Sequence, residues 1–158
     1  MSKEHVLALR DSLIKKVKVL EEIEGINRLQ SDILAADPFD YEAFDKLFAD
    51  KDVCIEKLDK LDEGFEIVYQ RVESELKSNK EDYSSVIKEM QDLIKRITDL
   101  GASIKAAEER NRNALSDTMI KERKGMSESK RSVNVAMNYY RNMSGTTTAE
   151  ARFMDKKK

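Results

Sequence analysis

The stretch Ala35-Ala36-Asp37-Pro38-Phe39-Asp40 decides how this chain folds. It holds the one proline of 158 residues and stands between two long runs of helical periodicity. Proline disfavours the α conformation in the residue before it, so Asp37 ends the first run, and Asp40 can accept a hydrogen bond as the cap of the next helix. The segment therefore reads as a tight helix-to-helix turn.

On its amino-terminal side, about residues 3 to 36, Val6, Leu9, Leu13, Val17, Leu20, Ile23, Ile26, Leu29 and Ile33 recur every three or four positions. On its carboxyl-terminal side Phe44, Leu47, Cys54, Leu58, Leu61, Phe65, Val68, Val72 and Leu76 do the same, with Lys51 interrupting one place. Each series is a single apolar helix stripe. Two legs of nearly equal length joined by so short a turn fold back as an antiparallel hairpin.

Ser78-Asn79-Lys80-Glu81 has the spacing of a capping box, with Ser78 as cap and Glu81 reaching back, which predicts a turn there and a third helix beginning. The stripe of that helix is Tyr83, Ile87, Met90, Ile94, Ile97, Leu100, Ile104, Ala107, Asn111, Leu115 and Met119. Acid-then-base pairs four residues apart, among them Asp11/Lys15, Glu73/Lys77, Asp92/Arg96 and Glu108/Arg112, suit exposed helix faces. Gly25, Gly64 and Gly101 fall inside the helices, where close helix approach is the first expected reason for them and a local kink the next.

Beyond Met119 the stripe thins. Met126, Val133 and Tyr140 are seven apart, with Ser129, Ala136 and Met143 in the alternate seam positions, so this segment can be helical while burying little. Ser144-Gly145-Thr146-Thr147-Thr148 then reads as a link to the terminal Lys156-Lys157-Lys158. The fold class is all-α: an elongated antiparallel bundle of three long helices plus a C-terminal helical segment. The divisions are a long-helix body at 1–119, an amphipathic segment at 120–143 and a flexible tail at 144–158.

Composition agrees. Charged residues make up 38% of the chain and hydrophobic ones 40%, which suits helices that bury a narrow stripe. The net charge of −2 hides an asymmetry: residues 1–100 carry 16 Lys/Arg against 24 Asp/Glu, whereas residues 101–158 carry 13 against 7. Glu122 and Glu128 are interspersed among Lys121, Arg123, Lys124, Lys130 and Arg131, so the basic third reads as a solvated face in preference to a nucleic-acid or anionic-membrane surface. No apolar run is long enough to span a bilayer and no signal-peptide pattern opens the chain, which predicts a cytoplasmic protein without stable membrane insertion.

Catalytic chemistry has little to work with. His5 is the only histidine and is expected at a frayed terminus; Cys54, the only cysteine, lies on an apolar stripe and reads as a buried structural thiol. There is no Glu-x-x-His repeat, phosphate loop or nucleophile elbow, so neither an enzyme nor any metal or organic cofactor is expected.

Leu61-Asp62-Glu63-Gly64-Phe65-Glu66, Glu109-Arg110-Asn111-Arg112-Asn113, Tyr139-Tyr140-Arg141-Asn142-Met143 and the ending Phe153-Met154-Asp155-Lys156-Lys157-Lys158 resemble bacterial flagellar export chaperones of the FlgN/FliT type. The resemblance covers nearly the whole chain in layout. It implies a small cytoplasmic chaperone that holds hook-associated or filament-cap subunits by an amphipathic terminal helix and escorts them for type III secretion, with the cytoplasmic domain of the export gate as a further partner. Carried onto this chain, the partner-binding surface is Met126, Val133, Met137, Tyr139, Tyr140 and Met143. The competing reading is a homo-oligomeric coiled-coil structural or adaptor protein, for which a homodimer is the expected assembly.

Overall fold

The computed structural model describes residues 2–122 and Glu150. Three helices account for the described chain: α1 (Ser2–Ala35), α2 (Tyr41–Ser78) and α3 (Ser84–Glu122). Their 34, 38 and 39 residues make rods of roughly 50–60 Å at 1.5 Å per residue. No strand occurs among the described residues.

The first turn forms where Pro38 requires it, and the Asp37-Pro38 peptide bond is cis. Asp40 caps α2, its carboxylate accepting from the Ala43 backbone N–H at 3.1 Å. Phe39 packs edge-on against Phe44 with ring centroids 5.6 Å apart, so an apolar residue before the cap staples the first turn of α2.

The second turn also forms, by different chemistry from the capping box. Ser78 is the last residue of α2 and α3 starts at Ser84. Asn79 closes α2 by donating its backbone N–H and side-chain Nδ2 to the Glu75 carbonyl, at 2.9 and 3.3 Å, and Tyr83 donates its hydroxyl to the Glu75 carboxylate at 3.1 Å. A short polar Asn side chain folds back on the helix end more readily than a Ser can cap a helix that starts six residues on.

The helices run up, down, up. α1 packs along both α2 and α3, yet no Cα of α2 lies within 8 Å of a Cα of α3. In cross-section α1 is the apex of a V whose arms are α2 and α3. Exposed pairs, Arg96 to Glu21 at 3.3 Å and Ser103 to Glu24 at 3.3 Å, tie α3 to α1 outside the seam. No described helix is long and apolar enough to cross a membrane.

The buried face of α1 departs from the apolar series read along the chain. Val6, Leu9, Leu13, Lys16, Leu20, Ile23, Asn27 and Gln30 are buried, alternating steps of three and four, while Val17 and Ile26 are half-buried and Leu29 is 53% exposed. A helix gripped by two neighbours keeps a 3.5-residue seam, and the apolar series, with four consecutive steps of three, drifts off it. In α2 the seam likewise runs through Phe48 and Tyr69 where Leu47 and Val68 were expected, with Lys51 buried at the place it interrupts, and in α3 through Glu108 where Ala107 was expected.

Gly25 and Gly64 have nothing within 4 Å of where a Cβ would stand, so close helix approach is not their reason.

Candidate functional site

The strict seam carries polar residues into the core at two levels. At the first, Lys16 of α1 donates to Asp62 of α2 at 2.7 Å and to Glu150 at 2.8 Å. Lys16 and Glu150 are both inaccessible to solvent, at 1% and 0% exposure. Two carboxylates around one buried ammonium take two of its three donors and neutralise its charge, which is what allows a charge to stand at a core position. This clamp fastens a residue near the chain's end to the first two helices.

At the second level Lys51 of α2 donates to Glu108 of α3 at 2.6 Å, and its ammonium lies 5.0 Å from the centre of the Phe48 ring. Burial pulls the Lys51 pKa below the ordinary lysine value, opposed by the Glu108 charge and hydrogen bond. Glu108, which as a member of an exposed i,i+4 pair would face water, instead bridges the two arms of the V.

Next to this pair Asn111 donates its side-chain N–H to the Asn27 backbone carbonyl at 3.0 Å. The side chains of Asn27 and Gln30 are buried, and their amide nitrogens and oxygens have no hydrogen-bond partner among the described residues. Asn27, Gln30, Lys51, Glu108 and Asn111 thus form a polar layer. It divides the core into a large apolar cluster reaching Ile23, Cys54 and Ile104 and a smaller one of Phe44, Phe48 and Leu115, against which Ile33, Leu34, Phe39, Tyr41 and Met119 pack.

Cys54 is buried, as expected, and donates to Glu22 at 3.6 Å. Burial first, then the Glu22 carboxylate, pushes its pKa up to about 11, which disfavours thiolate chemistry. His5 is half-buried within α1, inside the helix where a frayed terminus was expected. No group of three or more His, Cys, Asp or Glu among the described residues is placed to hold a metal ion.

The sequence-predicted partner-binding residues Met126, Val133, Met137, Tyr139, Tyr140 and Met143 lie outside the described residues. Of the buried polar residues at the two levels, reading along the chain found Lys51 as an interruption and Asn111 as a stripe member. It missed Lys16, Asn27, Gln30 and Glu108, because an apolar residue stands one place away from most of them; counting the strict three-four alternation from Val6 would have found the first three.

Long paired helices and polar groups in the seam define a helical-bundle protein whose described chemistry is that of helix packing. The model of the family described as FlgN protein matches residues 1–147, and the chain belongs to the FlgN family of flagellar protein-export chaperones. That is a chaperone family and not one of enzymes. Neither a curated protein nor a solved structure matches the chain.

Proposed function

We propose that the chain is a cytoplasmic chaperone for flagellar hook-associated or filament-cap subunits. It binds their amphipathic terminal helices, keeps them unassembled for type III secretion and delivers them to the cytoplasmic domain of the export gate. The observation that carries this reading is the match of the FlgN family model over residues 1–147, on a body of long amphipathic helices of the kind that pairs with other helices.

The cargo surface in this reading includes Met126, Val133, Met137, Tyr139, Tyr140 and Met143. Methionine adapts to variable apolar partners, and tyrosine is a frequent anchor of interfaces.

Calorimetric titration of the full chain with a purified hook-associated and a purified filament-cap subunit tests it, with a one-to-one complex expected for one of them. Replacing Val133, Met137 and Tyr140 together by Ala should weaken that complex by about 2–4 kcal/mol. Failure of both subunits to bind rejects the function; unchanged affinity of the triple variant rejects this surface and leaves the function standing.

A further inference from the structure

Acidic residues stand along α2 at strict steps of seven: Asp45, Asp52, Asp59, Glu66 and Glu73. A seven-residue repeat keeps them in one row on a helix packed along a 3.5-residue seam. Asp45, Asp52, Glu66 and Glu73 are half-buried, as side chains bordering a packed seam are. Burial, then the charges of Asp62, Glu63 and Glu56, holds the Asp59 carboxyl above the ordinary range, so like charge is crowded along the row. We infer that this row is the docking surface of the chain's own basic third: residues 123–158 run back along α2 with their Arg and Lys side chains against it.

The two arms of the V bury sequence neighbours, which point about 100° apart on a helix: Cys54 with Ile55, Met90 with Gln91, Leu100 with Gly101. Packing on α1 accounts for one strip of each arm, and no Cα of α2 comes within 8 Å of a Cα of α3. Another element therefore covers the second strip. On α2 that strip includes Ile55 and Tyr69, at 5% and 0% exposure, each three residues beyond a member of the row, Asp52 and Glu66.

The chain itself supplies that element. Asn111 is level with Asn27, so Glu122, at the end of α3, and Lys16, at the clamp, lie on opposite sides of that level and roughly 33 Å apart along the axis at 1.5 Å per residue. Glu150 has made that descent, since it shares the Lys16 ammonium with Asp62 of α2. Residues 123–149 cover the distance as a helix with about five residues to spare for a turn. Their charge matches the row: Arg123, Lys124, Lys130, Arg131 and Arg141 stand against Glu128 alone, and Met126, Val133 and Tyr140 repeat every seven residues as the row does. Past Glu150, Arg152 and Lys156-Lys157-Lys158 continue towards Glu66 and Glu73, which follow Asp62 down α2. A separate basic helix would match the charge equally well; the covalent path through Glu150 is what selects this chain's own residues.

Charge reversal in the full chain tests it. D45K/D52K and K130E/R131E/R141E should each lower the melting temperature by about 4–8 °C at low salt, and their combination should regain at least half of the summed loss. Losses that simply add overturn the inference. Recovery that grows with protein concentration, together with a dimer in sedimentation, would put the basic third of a second copy on the row and overturn it as well. If a variant does not fold, amide exchange in the wild-type chain decides. Residues 126–143 should exchange at least about ten-fold more slowly than an unstructured chain at low salt, and lose part of that protection at about 0.5 M salt. Exchange at the unstructured rate sinks the proposal.

Discussion

Single residues in this body have consequences set by their surroundings more than by their type. Gly25 and Gly64 each sit mid-helix with open space where a methyl group would stand. Ala at either site should stabilise the fold by about 0.5–1 kcal/mol, by relieving the backbone entropy that glycine loses in a helix. Urea unfolding of the two single variants measures it, and a lowered midpoint would contradict the open environment. Cys54 makes a pH-dependent prediction. Its folded-state pKa is raised from 9.0 to about 11, so its favourable contribution is complete below pH 9 and is lost as pH rises through the folded value. Between those limits wild type should lose stability more steeply than Cys54→Ala, and at neutral pH iodoacetamide should label the native thiol far more slowly than the denatured one.

At the scale of the elements, α2 and α3 communicate through side chains that span a gap their backbones do not close. Breaking the Lys51–Glu108 pair by Lys51→Met leaves a buried carboxylate without its counter-ion and should cost about 3–5 kcal/mol. The double variant K51M/E108L removes both charges and should recover most of that loss or exceed wild type. A double-mutant cycle in urea separates the two; a double variant as unstable as the single one would mean that Glu108 carries no unpaired penalty. The turns that bound these elements differ in how far local chemistry announced them. The Asp37-to-Asp40 turn combines a helix-stopping proline with a capping aspartate, and the chain turns there. The second turn is where expected but is closed by Asn79, Glu75 and Tyr83, because an eight-residue Tyr83-to-Glu75 hydrogen bond requires the folded turn to exist before its residues are neighbours.

Over the whole molecule, the core is two apolar clusters with a polar layer between them and an ionic clamp within the larger one. The clamp joins positions 134 residues apart, Lys16 and Glu150. Lys16→Met would take the ammonium away from the buried Glu150 carboxylate and from the part-buried Asp62 and should destabilise by about 3–5 kcal/mol. Glu150→Gln leaves Asp62 on the ammonium and should cost less, about 1.5–3 kcal/mol, the worth of a hydrogen bond to a charged group. Thermal melts of both variants at one pH give the order; a larger loss for Glu150→Gln would mean that Asp62 does not hold Lys16 without help.

From the residues alone came the helices, the first turn with its cap, the position of the second turn, the burial of Cys54 and the resemblance to export chaperones. All of these follow from local signals: periodicity, proline, capping chemistry and short strings. The tertiary structure decided which face of each helix is buried. A shift of one position rotates that face by about 100°, and an amphipathic helix with apolar residues on both sides of its seam does not specify the angle by itself. Contact with two neighbours along some 50 Å does, because only a 3.5-residue repeat stays in register with both. That geometry, and no property of lysine or asparagine, put Lys16, Asn27, Gln30 and Glu108 inside.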